Sequence, residues 1–169
     1  MDSIKKLENM VEGWLKPFPH LPANWRKWIG ENVWWMTLVG VILSGLAVLA
    51  MAGAILTAMS FLGAATSIYG IYVAQSYSSW WMISSVVALV FMVSIVVLTA
   101  MAIQPLKSFK KKGWDLLFLT SVIGVASMVV SVVMNLNALN LIPNLISAII
   151  SATISMYFLF EIRSQFDKK

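Results

Sequence analysis

The chain has 169 residues, of which 60% are hydrophobic and 11% charged, with a formal net charge of +5, one histidine and no cysteine. Soluble domains carry about a quarter of their residues as charge, so composition excludes a water-soluble fold, and with it a disordered polymer, a disulfide scaffold and a thiolate metal site. What remains is a small polytopic membrane protein, because apart from tyrosine nothing is ionisable between Val33 and Leu106, or between Leu116 and Phe160.

At the start of the chain Ile4, Leu7, Met10, Val11, Trp14 and Leu15 recur at helical spacing, while Lys5, Lys6, Glu8, Glu12 and Lys16 fill the other positions. Residues 3–16 are therefore predicted to form an amphipathic helix lying at the membrane interface. The run Pro17-Phe18-Pro19-His20-Leu21-Pro22 cannot continue a helix and should be extended. Asn24 is then placed to cap a second short helix carrying Trp25 and Trp28 along the headgroups, before the chain turns into its first span. Residues 1–30 thus read as an amphipathic, interfacial segment ahead of a transmembrane domain over 31–161, with 162–169 as a tail.

Crossing about 30 Å of hydrocarbon takes roughly 20 apolar residues in a helix. Four spans satisfy this, at about 33–58, 79–103, 114–134 and 142–160, which makes the fold class all-α, with four transmembrane helices. The first boundary is the hard one, since Val33 to Ala74 is uncharged throughout and far longer than one crossing needs. Phe61 to Val73 is expected to lie at the interface or to extend the first helix. Span two is entered through Gln75-Ser76-Tyr77-Ser78-Ser79 and closed by Gln104-Pro105. The lysines 107, 110, 111 and 112 lead into span three, Asn135, Asn137 and Asn140 mark the next turn, and Pro143 suits the first turn of span four.

This layout puts all twelve lysines and arginines on one side and none in the loops 59–78 and 135–141. Positive residues stay inside, so both termini are expected in the cytoplasm. The eight tryptophans avoid span centres, and Trp25, Trp28, Trp34, Trp35, Trp80, Trp81 and Trp114 are expected to anchor the two interfaces. Lys107, Lys110, Lys111 and Lys112 can press on anionic headgroups at about 1 kcal/mol each.

Apart from Asp115 at the very start of span three, the spans contain no Asp, Glu, Lys, Arg or His, the residues from which proton relays and charged-substrate sites are built. Glu31, Asp115 and Glu161 sit at span ends and read as solvated or paired terminal charges, and His20 as a polar residue of a proline-rich linker. Without a second histidine or a cysteine no ordinary zinc or bis-histidine haem site can form within one chain. No catalytic, cofactor or metal residue is expected. The positive pattern is small and polar. Thr120, Gly124, Ser127, Ser131 and Asn135 share one face of span three, and Asn144, Ser147, Ser151 and Ser155 form a ridge on span four. Gly40, Ser44, Ala47, Ala54 and Ala58 do the same on span one. Such residues let membrane helices approach, with hydroxyl bonds worth roughly 0.6 kcal/mol each, or they line a path for water or a small solute.

The segments Asn24-Trp25-Arg26-Lys27-Trp28 and Lys111-Lys112-Gly113-Trp114-Asp115-Leu116-Leu117-Phe118 resemble those of a group of small four-span bacterial membrane proteins. The resemblance implies a bacterial inner membrane and brings no activity or functional residue with it. The leading expectation is a non-enzymatic structural, assembly or accessory subunit that works through helix packing and lipid or protein contacts. Its partners would be a second copy or another membrane protein and a bilayer with anionic cytoplasmic lipids, with no nucleic acid. A passive channel or uncoupled carrier formed by an oligomer is the second expectation, lined by Thr120, Ser127, Ser131, Asn135, Ser147 and Ser151. A lipid or quinone binder using the aromatic segment 61–81 is the third.

Overall fold

The computed structural model describes residues 2–69, 71–134 and 138–166, and among these every regular element is a helix. Helix α1 covers Asp2–Leu15, α2 Ala23–Tyr69, α3 Ile71–Lys107, α4 Lys111–Met134 and α5 Ala138–Ile162, with a 3-10 turn over Arg163–Gln165. Four stretches are long and apolar enough to cross a membrane: Ala23–Ala64, Trp80–Lys107, Lys111–Met134 and Leu145–Gln165. The chain is an all-α protein whose α2, α3, α4 and α5 alternate in direction, each packed on the next, while α2 and α5 touch only sparingly. The start of α2, the α3–α4 turn and the end of α5 therefore meet at one end, where α1 joins them. Because the arginines and lysines gather there, we call it the basic end.

Several boundaries differ from the expected ones. The short headgroup helix and the first span are a single helix, Ala23–Tyr69, with no turn between them. Pro22 supplies the first carbonyl, accepting from Trp25 N–H at 3.0 Å and Arg26 N–H at 3.1 Å, and no proline follows within α2 to break it. The segment beyond residue 58 extends this helix to Tyr69, one of the two courses expected for it, while α3 begins at Ile71, earlier than expected. Trp80 Nε1–H donates to the Met134 carbonyl at 2.9 Å, which levels Trp80 with the far end of α4. Residues 71–79 consequently stand about 14 Å beyond that level, alongside the end of α2. At its other end α3 passes Pro105 and closes at Lys107. Leu106, only 1% exposed, is held in the core by that extra turn. Helix α5 begins at Ala138, so Pro143 lies inside it and not in its first turn.

The core is not at the middle of the bundle. Apart from Ile55, every buried apolar residue among the described ones belongs to one cluster at the basic end: Ala102, Leu106, Trp114, Phe118, Met156, Leu159, Ile162 and Phe166. The spans themselves stay exposed, as expected where lipid is as apolar as leucine and burial carries no hydrophobic gain. The tight α3–α4 turn closes this core. Phe109 adopts a left-handed backbone, φ 52°, a conformation costly for a bulky residue, and its ring stacks on Phe166 at 5.9 Å. Gly113 lets the two helices approach. A Cβ there would lie 2.6 Å from Leu106 N and 2.9 Å from the Pro105 carbonyl carbon, backbone atoms that cannot swing aside. Gly113→Ala is expected to cost roughly 1–3 kcal/mol, visible as a lower melting temperature in detergent, and an unchanged melt would mean the helices separate freely.

Candidate functional site

Three arrangements at or below the basic end carry polar or cavity-forming residues. The first is a clamp joining the N-terminal segment to the end of α5. Glu161 is buried, 7% exposed, and Tyr157 lies one turn before it on the same face. His20 Nδ1 is 2.7 Å from Glu161 Oε1, Leu21 N–H donates to Oε2 at 3.1 Å, and Arg26 Nε is 3.8 Å from Oε2. Tyr157 O–H donates to the Pro19 carbonyl at 2.5 Å, and its ring lies 6.3 Å from Phe18. The extended stretch 18–22 is thereby strapped along α5. Arg163 completes the clamp from the other side. Its Nη2 meets Glu8 at 2.5 Å and its Nη1 meets Glu12 at 2.6 Å, carboxylates four residues apart on α1 that one planar guanidinium bridges. The same guanidinium lies 5.4 Å from the Trp114 ring centre, within cation–π range. A polar cavity of about 280 Å³ lies among Lys16, His20, Arg26, Glu161 and Arg163.

The second arrangement is an apolar groove of about 790 Å³ between α2 and α5. One wall is the α2 face Trp25, Trp28, Ile29, Val33 and Met36, the other is Phe158, Leu159 and Ile162, and Leu21 and Pro22 of the strap form its roof. The groove carries hydroxyls from Thr99, Thr120, Ser121 and Ser155. Those of Thr99, Thr120 and Ser121 donate to carbonyls of their own helices, Ile95 at 2.6 Å, Leu116 at 2.9 Å and Leu117 at 3.0 Å respectively.

The third arrangement is a run of cavities along α4, bordered first by α5, then by α3 and α5, and last by α2 and α3. Beneath the groove lies a cavity of about 120 Å³ sharing Ser121 and Ser155 with it, then one of about 510 Å³ sharing Met128, then one of about 230 Å³ sharing Ala88 and Ser131. Lining residues thus lead stepwise from Trp25 at the basic end to Trp81 and Met134 at the other.

The expected seam residues fall on this trail. Thr120 and Ser155 line the groove, Gly124, Ser151 and Ser155 the smallest cavity, and Ser127, Ser131 and Ser147 the next. Asn135 and the side chain of Asn144 lie outside the described residues, as do the side chains of most of segment 61–81. A Cβ at Gly40 or Gly124 would meet nothing within 4 Å, so neither glycine sits at a close helix approach within one chain. All four lysines of the α3–α4 turn are exposed, and Lys107 Nζ sits 5.3 Å from the Trp34 ring centre. Trp25, Trp28, Trp35, Trp80 and Trp81 are exposed and Trp34 half-buried. Trp114 departs from the expectation of an interfacial anchor. It is 1% exposed and forms the centre of the core. The clamp residues Glu8, Glu12 and Arg163 had no signal beyond ordinary charges at helix ends, because their pairing joins opposite ends of the chain, Glu12 and Arg163 being 151 residues apart.

No family model, curated protein or solved structure matches the chain.

Proposed function

We propose that the protein is a non-enzymatic, multi-pass protein of a bacterial inner membrane, with both termini in the cytoplasm, acting as a structural, assembly or accessory subunit. The observation that supports this is the unpartnered small-residue face of α2. Gly40, Ala47 and Ala54 are exposed, and a Cβ added at Gly40 would meet nothing within 4 Å. Small residues are what membrane helices use to approach one another, and this face has no helix of its own chain to receive. A second copy or another membrane protein is its natural occupant. The basic end would face the cytoplasm, where its exposed lysines meet anionic lipid, and the outward residues Leu7, Met10 and Trp14 of α1 would enter the interface.

Native mass spectrometry of protein released from lipid nanodiscs tests this reading. A discrete oligomer or a stoichiometric complex with another membrane protein is expected, converted to monomer by Gly40→Leu with Ala47→Leu, changes at two exposed positions. A wild-type monomer without partner would overturn it. The cavity trail supports a second reading, a passive path for a small solute, with Ser127, Ser131 and Ser147 gathered at one cavity. Liposomes containing the purified protein would then leak a small neutral solute, and Ser131→Leu should slow that flux. Flux equal to protein-free liposomes would remove this alternative.

A further inference from the structure

We infer that the polar cavity between the N-terminal segment and the end of α5 is a binding site for one phosphate group, with a phospholipid headgroup on the basic side as its nearest source. The cavity measures about 280 Å³ and has Glu12, Lys16, His20, Arg26, Glu161 and Arg163 in its lining. Its carboxylates already have partners. Glu161 Oε1 meets His20 Nδ1 at 2.7 Å, Oε2 accepts from Leu21 N–H at 3.1 Å, and Glu12 Oε2 accepts from Arg163 at 2.6 Å. Two of its cations do not. Arg26 Nε is buried and has no hydrogen-bond acceptor, since Glu161 Oε2, the oxygen nearest it in their ion pair, stands 3.8 Å away, beyond hydrogen-bond reach. The Lys16 ammonium forms no ion pair among the described residues. Buried donors are as a rule satisfied, so carboxylates with partners beside donors without them call for a ligand that only accepts.

The donors narrow the chemistry. A guanidinium is a rigid fork that matches carboxylate or phosphate, and an ammonium is a point charge. Lys16 follows α1 directly and Arg26 lies in the first turn of α2, so the two reach the cavity from different elements. A phosphate, with acceptor oxygens in several directions, serves such a pair better than a planar carboxylate with two. Formal charges on Glu8, Glu12 and Glu161 balance those on Lys16, Arg26 and Arg163. Hydrogen-bonding capacity rather than net charge therefore selects the ligand, and a phosphodiester with one negative charge fits this balance better than a free phosphate carrying nearly two. Depth favours the same source. Trp25 and Trp28 flank Arg26 and are 60% and 50% exposed, and tryptophans settle at the level of the headgroups.

The full chain in nanodiscs of phosphatidylcholine and phosphatidylglycerol, released for native mass spectrometry, should retain one phospholipid per chain. Arg26→Gln and Lys16→Gln should each lower that retention about tenfold, whereas Lys27→Gln, which removes the same charge from an exposed neighbour, should leave it unchanged. Lys16 is exposed, so its variant decides the matter if Arg26→Gln loosens the strap. A second arm titrates inorganic phosphate against chloride at constant ionic strength in phosphate-free maltoside detergent. Saturation at one phosphate per chain without any retained lipid would keep the site and move its source to the aqueous phase. Neither lipid nor phosphate bound would overturn the inference, as would retention unchanged by both variants or lowered equally by Lys27→Gln. Loss of the oligomer with the lipid retained would count against the accessory-subunit reading alone.

Discussion

Trp114→Ala is expected to lower the melting temperature in detergent by on the order of 10 °C. The indole is 1% exposed, lies 5.5 Å from Phe118 in a parallel stack, meets the Phe160 ring edge-on at 5.4 Å, and donates to the Leu159 carbonyl at 2.7 Å. Truncating a buried tryptophan costs roughly 3–5 kcal/mol, and each kcal/mol is worth about 2–4 °C in a chain of this length. Trp114→Phe keeps an aromatic ring and loses mainly the hydrogen bond, about 1 kcal/mol, so it should melt between the two. Equal melting of wild type and Trp114→Ala would mean that the basic end is not what holds the helices together.

The second large effect is local. Arg163→Gln removes the partner of both Glu8 and Glu12, and Glu8 is only 7% exposed. Leaving a buried carboxylate without its partner costs about 3–5 kcal/mol, but α1 can escape that cost by undocking and letting Glu8 reach water. The expected result is therefore rapid proteolysis or amide exchange in residues 6–16, with little change in the melting of α2 to α5. Adding Glu8→Gln should restore part of the protection, since no charge is then buried. Unchanged exchange in α1 would show that Val11 and Leu15, its apolar contacts with the core, suffice to dock it.

How far the residues alone reach depends on what kind of interaction decides each element. The third span was expected at 114–134 and α4 is Lys111–Met134, because lysines on one side and asparagines on the other punctuate it. Helix α2 has no such punctuation. In a span apolar on every side the period of 3.6 leaves little trace, so nothing in its sequence marks a passage from headgroup helix to span or from span to extension. The seam of Thr120, Ser127, Ser131, Ser147, Ser151 and Ser155 was legible as a face, and it lines a run of cavities. Whether a face is filled or hollow is a property of its neighbour and cannot be read from its own spacing. Trp114 illustrates the same point. Its depth at the end of a span was readable, whereas its burial depends on Phe118, Phe160 and the turn that places Leu106 beside Gly113.

The link between Arg163 and the two carboxylates of α1 also sets an order of events during synthesis. Glu12 and Arg163 are 151 residues apart, and at translation speeds of about 5–20 residues per second the first must wait roughly 8–30 s for the second. Throughout that interval α1 has no arginine to receive it, while α2, α3 and α4 can already be placed. A chain stopped before residue 163 lacks the partner of both α1 carboxylates, and α1 is expected to be cut faster by protease in it than in the full chain.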